Sequence, residues 1–189
     1  MKKQIIIAVA ASFIPAIAFA GPSLGIAYSN VGLSGHAGRP GVQITAGNLY
    51  RNNVVASGSA TFARGYYGFR AGIGKLIPSG GVSFEPNVSL GFINLDYNQA
   101  QQPQTIQNVY GLAGVNLNVP IDQRVALKFG GGFGHTLTAY SGGNGMVYQG
   151  KAEIGCQIAP RVTASIDVRY LHIPGASMTT EGAGLAYQF

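Results

Sequence analysis

The side chains able to do chemistry in this chain are few and widely spread. Seven charged residues, Arg70, Glu85, Lys128, Lys151, Glu153, Asp167 and Arg169, interrupt segments in which apolar residues fall at every second position. Lys128, the Lys151/Glu153 pair and the Asp167/Arg169 pair belong to three consecutive segments. Opposite charges on adjacent strands that point into a narrow space can pair. Such a set can form an ion-pair plug, because buried charge left unpaired is costly. It can also line a polar path for ions or small solutes. The plug is the expectation and the path is its alternative.

Catalysis needs a nucleophile or base held by partners. Of the three histidines, His36 falls in a probable surface turn, and His135 and His172 fall near the loop ends of apolar-patterned segments. Ser177 stands five residues after His172 and need not reach it. Cys156, the sole cysteine, lies between Gly155 and Gln157 without a basic neighbour. It reads as a small apolar packing residue rather than a reactive thiol. No His/Cys/Asp/Glu cluster has metal-ligand spacing. "FGGGFGH" (129–135) lacks the helix and the Lys-Ser/Thr pair of a phosphate loop. The residues therefore predict no enzyme, no cofactor and no metal. The formal charge of +6 is dispersed along the chain, which excludes a nucleic-acid-binding stripe.

The elements that must position these residues are strands. In "VSFEPNVSLGF", Val82, Phe84, Val88, Leu90 and Phe92 share one face, with Ser83, Glu85, Asn87 and Ser89 opposite. In "VTASIDVRY", Val162, Ala164, Ile166, Val168 and Tyr170 oppose Thr163, Ser165, Asp167 and Arg169. Ten strands are predicted, at 23–36, 41–51, 54–63, 66–77, 82–97, 106–119, 125–140, 146–158, 162–173 and 181–189. The count falls to eight if two N-terminal segments are not strands. Apolar parity shifts between Tyr28 and Val31, which predicts a bulge or turn at Ser29-Asn30. Short, often proline-marked turns alternate with longer polar loops, "NQAQQPQT" (98–105), "SGGNG" (141–145) and "PGASMTTE" (174–181).

Residues 1–20 read as a separate signal peptide. Lys2 and Lys3 precede the apolar run Ile5–Ala20, and Ala18-Phe19-Ala20 fits a small-x-small cleavage site before Gly21. The run is shorter than the roughly 20 residues that a membrane-anchoring helix needs. Residues 21–189 then form one domain, with no later run long enough for a membrane helix.

Alternation alone also allows a soluble sandwich or a lipocalin-like carrier. Three features favour a barrel in lipid. The polar faces carry mostly Gly, Ser, Thr, Asn and Gln, which suits a narrow lumen. Tyr28, Tyr50, Phe62, Tyr66, Tyr67, Tyr97, Tyr140, Tyr148, Tyr170, Tyr187 and Phe189 gather near strand ends, as two interfacial girdles would. The last segment, "GAGLAYQF" (182–189), alternates to its final residue, as a strand closing on the first requires when every backbone group must be paired.

That segment resembles the C-terminal signature of Gram-negative outer-membrane proteins, carried here by Leu185, Tyr187 and Phe189. The resemblance implies recognition by the barrel-insertion machinery. Residues 21–189 resemble the small OmpA/OmpX-type barrels, and the glycine-rich strands with Ile166–Leu171 resemble the YfaZ group. An all-β, antiparallel up-and-down transmembrane barrel of 8–10 strands in the bacterial outer membrane is the expected fold and location. Outer-membrane lipids are its expected surroundings, and the residues name no extracellular partner. "RYLHIPGAS" (169–177) is similar to the rim of lipid A deacylase barrels, in which a histidine and a serine two residues later act on lipid. Here that position is Pro174, which has no hydroxyl. The readings that remain are a structural or surface-interaction barrel with a polar, side-chain-plugged lumen, then a narrow channel, then a rim lipid hydrolase.

Overall fold

The computed structural model describes residues 21–33, 38–99, 102–141 and 143–189. The expected signal peptide and His36 lie outside the described residues. The strands are β1 (Gly21–Leu33), β2 (Arg39–Leu49), β3 (Val54–Ala63), β4 (Tyr66–Lys75), β5 (Ile77–Ser79), β6 (Val82–Gln99), β7 (Gln102–Pro120), β8 (Val125–Ser141), β9 (Met146–Ala159), β10 (Val162–Ile173) and β11 (Ala176–Gln188). Sequence neighbours pair antiparallel except β4 and β5, which both pair with β6, and β1 pairs with β11 from Ser23↔Gln188 to Leu33↔Met178. β4 and the short β5 lie end to end against β6. They form one stave interrupted at Leu76, whose N–H donates to the Asn53 carbonyl at 2.8 Å. The result is a closed barrel of ten staves with no free sheet edge.

The exposure pattern is inverted relative to a water-soluble sheet. Ile26, Leu90 and Ile166 are 61%, 59% and 63% exposed, while Glu85, Ser89 and Asn116 are 6%, 7% and 7% exposed. A soluble fold would lose free energy by leaving such side chains in water, at about 25 cal/mol per Å². The same arrangement is favourable where the outer face meets acyl chains. No described helix is long and apolar enough to cross a membrane, and a β-barrel crosses with strands.

β3 and β4 have 10 residues each, near the minimum of about 9–11 for a tilted crossing. β6, β7 and β8 have 18, 19 and 17 and must project beyond the lipid. The segments expected as the loops 98–105 and 174–181 are therefore largely strand. The Gln107 amide donates to Asn94 Oδ1 at 2.6 Å and the Thr105 hydroxyl donates to Asp96 Oδ1 at 2.7 Å. Arg39 Nη1 donates to the carbonyls of Arg64, Gly65 and Asp96 at 3.2, 3.1 and 2.7 Å, which ties the β3–β4 turn to this projection. Gly65 has φ 64°, and a Cβ there would lie 3.1 Å from the Asp96 carbonyl oxygen, so the docked turn favours glycine.

β1 contains no bulge. Its ladders to β11 and β2 run without a register shift through Ser29 and Asn30. Apolar parity changes because the interior changes. Val31 and Leu33 point inward into an apolar layer, whereas Gly25, Ala27 and Ser29 point inward below it.

The rim that carries both chain ends is closed by short turns. In the β7–β8 turn, Asp122 Oδ1 accepts the N–H groups of Arg124 and Val125 at 2.6 and 2.7 Å. Those two bonds hold its carboxyl below the ordinary value of 3.8.

Candidate functional site

The lumen is layered. Its half farthest from the chain ends is filled by apolar side chains, among them Leu33 from β1, Tyr66 from β4, Leu95 from β6, Tyr110 from β7, Val147 from β9 and Ile173 from β10. The expectation of a wholly polar lumen is corrected here. Tyr66, expected in an aromatic girdle, belongs instead to this core at 8% exposure. Leu112 and Tyr110 already lay on the otherwise polar face of "YGLAGVNLN", and that departure was the available signal.

Glycines make the interior space. Gly91 faces Tyr110 across the β6–β7 ladder, and a Cβ at Gly91 would lie 2.2 Å from Tyr110 Cζ. Gly130 lies beside Lys151, and Gly182 beside Asp167, where a Cβ would meet Lys151 Cε at 2.7 Å and Asp167 Oδ1 at 2.5 Å. The glycine-rich inner faces are thus one half of a large-against-small packing scheme.

Below the apolar layer all seven charged residues singled out from the sequence line the lumen. One ion pair forms among the described residues: Lys128 Nζ lies 3.6 Å from Glu85 Oε2, reaching across β7. Arg70 donates from Nε and Nη2 to Ser89 Oγ at 3.3 and 3.1 Å. Its Nη1 donates to Gln149 Oε1 on β9. On β9 and β10 the expected pairing of opposite charges does not follow, because the register sets Lys151 opposite Arg169 and Glu153 opposite Asp167. Like charges directly opposite are unfavourable. Two adjoining spaces between these side chains share Glu85, Lys128 and Arg169 in their linings. The larger, about 210 Å³, reaches from Glu153, Asp167 and Arg169 to Ser23, Asn48 and Ala186 near the rim with the chain ends. The smaller, about 160 Å³, is lined by Arg70, Glu85, Asn116, Lys128, Lys151 and Arg169. Arg169 Nε and Asn118 Oδ1 are buried there without a hydrogen-bond partner.

On the outer face, His172 and Ser177 are directly paired across the β10–β11 hairpin, and His172 Nδ1 lies 2.8 Å from Ser177 Oγ. The five-residue separation, which left their contact open, is bridged because a two-residue turn folds one onto the other. Tyr148 stacks on the imidazole with centroids 4.5 Å apart. No described carboxylate hydrogen-bonds to His172, so the pair lacks a third member. His135 is exposed, with Nδ1 at 2.8 Å from the Thr136 carbonyl oxygen. Cys156 is a free, half-buried thiol. No three described His, Cys, Asp or Glu side chains gather where they could hold a metal ion. Leu185, Tyr187 and Phe189 all face outward, and the rings of Tyr187 and Phe189 meet edge to face at 5.2 Å.

No family model and no curated protein sequence matches the chain. Its fold is similar to that of solved outer-membrane barrels. The NanC porin has a TM-score of 0.54 at 8% identity, over 88% of this chain and 100% of that one. The translocator domain of autotransporter NalP from Neisseria meningitidis has a TM-score of 0.53 at 11% identity, over 100% and 95%. An outer membrane channel from Pseudomonas putida F1 has a TM-score of 0.50 at 8% identity, over 93% and 99%.

Proposed function

We propose that this chain is a non-enzymatic outer-membrane barrel with a structural or surface-interaction role and a lumen that does not conduct. The observation that carries this reading is the apolar layer. Ile93, Leu95, Val147 and Ile173 are at most 1% exposed inside the barrel, and an ion entering that layer would lose its hydration without a compensating partner. The side-chain-filled interior supports kinship with small OmpA/OmpX-type or YfaZ-like barrels. Residues 1–20 act as a cleaved signal peptide in this reading. Leu185, Tyr187 and Phe189 present the final strand to the barrel-insertion machinery, and lipids surround the belt. Planar-bilayer recording of purified protein tests the closed lumen: no unitary conductance is expected, and reproducible openings altered by changing Lys151 or Asp167 would refute it.

The two adjoining polar spaces support a narrow channel as the second reading, and the same recording separates the two. The His172–Ser177 contact supports a rim lipid hydrolase less strongly, because no carboxylate orients the imidazole. Mass spectrometry of lipid A with and without expression tests it. Unchanged acylation is expected, and a lost acyl chain that depends on Ser177 would reverse the assignment.

A further inference from the structure

We propose that Arg70, Lys151 and Arg169 form a binding site for a small oxyanion, a carboxylate or a phosphate, within the blind inner end of the lumen. The β9–β10 register places Lys151 directly opposite Arg169. Opposed side chains on adjacent antiparallel strands have Cβ atoms about 4.5–5.5 Å apart. Two cations borne on opposed side chains in a narrow lumen repel, and an anion beside them relieves that repulsion. Arg70 reaches the same side of the lumen from β4. Its guanidinium is held by Ser89 and by Gln149, two residues before Lys151 on β9. Three cationic heads thus converge from three strands, and one of them is oriented by hydrogen bonds before any ligand arrives.

The carboxylates nearby form no ion pair with this group. Glu85 is engaged by Lys128 at 3.6 Å. Glu153 follows Lys151 by two residues on β9 and Asp167 precedes Arg169 by two on β10, so the two carboxylates stand opposite each other rather than opposite the cations. No described carboxylate lies within ion-pair distance of Arg70, Lys151 or Arg169. Arg169 Nε is buried without a partner, which leaves a donor desolvated at a cost in free energy. An oxyanion supplies the missing acceptor, and a guanidinium presents parallel N–H groups that suit carboxylate and phosphate oxygens.

The space has the right size and a single approach. The cavity that all three cations line is about 160 Å³, room for roughly five waters and so for phosphate or a short dicarboxylate. The apolar layer closes it on one side, and the larger space leads to the rim with the chain ends. The ligand therefore enters from that rim. Glu153 and Asp167 line the approach and limit the charge that the site accepts.

The test uses the full protein extracted from membranes, its folded state verified by heat-modifiable gel mobility. Inorganic phosphate and succinate are titrated separately by calorimetry at constant ionic strength, with chloride as the balancing anion. Saturable one-to-one binding of at least one probe is expected, and which of them binds identifies the oxyanion class. Affinity should fall about tenfold or more in Lys151→Met and in Arg169→Gln, the worth of one charge-assisted hydrogen bond. It should stay within about twofold in Lys75→Met, whose exposed side chain lies on the outer face of β4 rather than in the cavity. If Arg169→Gln fails to fold, Lys151→Met and the wild-type titration still decide. Absence of saturable heat from both probes, or binding equal in wild type and Lys151→Met, would overturn the assignment. Neither result depends on whether the barrel conducts.

Discussion

Replacing Glu85 with Gln tests how the charged layer is held together. Lys128 Nζ and Glu85 Oε2 are 3.6 Å apart, with side chains 15% and 8% exposed. At that separation two unit charges attract by about 4–5 kcal/mol for an effective dielectric constant of about 20. Removing one partner of a buried pair typically costs about 3–5 kcal/mol, because the survivor stays desolvated. Water in the adjoining cavity moderates this. Lys128 left alone near Lys151 and Arg169 worsens it. A loss of about 3 kcal/mol is expected for Glu85→Gln. Adding Lys128→Met should recover most of it and leave the double variant within about 1 kcal/mol of wild type. The sequence contains no tryptophan, so unfolding in denaturant is followed by far-ultraviolet circular dichroism and gel mobility of the detergent-solubilised barrel. A Glu85→Gln variant within about 0.5 kcal/mol of wild type, or a double variant as unstable as the sum of the singles, would refute the reasoning.

Gly91→Ala drives a methyl group into Tyr110, 2.2 Å from Cζ, and should cost about 1–3 kcal/mol. Tyr110→Leu in the same chain should remove most of that penalty, and additive losses would count against the large-against-small scheme. Asp122 has a lowered pKa, so its charge contributes stability above the ordinary carboxylate range, and the contribution disappears as pH falls through the lowered value. Asp122→Asn should therefore lie below wild type at neutral pH, with the gap closing in acid. Unfolding midpoints at both pH values check this, and a constant gap would contradict it. Tyr110→Ala combined with Leu171→Ala should open the apolar layer and produce unitary conductance in planar bilayers. A silent double variant that still shows the folded gel mobility would mean that the closure lies elsewhere.

Strand identity was legible wherever one face met lipid along its whole length. Val54–Ala63 and Val162–Ile173 match the expected bounds 54–63 and 162–173, because their outward residues keep to one parity throughout, apolar in all but His172 and Gly58. Legibility failed where a strand passes out of the belt. β1 keeps its pleat through Ser29 and Asn30, but Val31 and Leu33 are apolar residues facing inward. A rule that assigns every apolar side chain to lipid must then invent a bulge. The charged residues were legible as lumen-facing from parity alone. Their partners were not, because pairing depends on register, and nothing local to β9 or β10 announces that Lys151 meets Arg169. The Lys128–Glu85 contact skips a strand and could be seen only once the barrel closed.

The seam between β1 and β11 joins Ser23 to Gln188, the opposite extremes of the described chain. Without β11 the first strand has no mate, so the sheet carries two bare hydrogen-bonding borders that hydrocarbon cannot solvate. Pairing of β11 with β1 is therefore a physical precondition for stable residence in the bilayer. Proteolytic removal of β11 would reopen that circle.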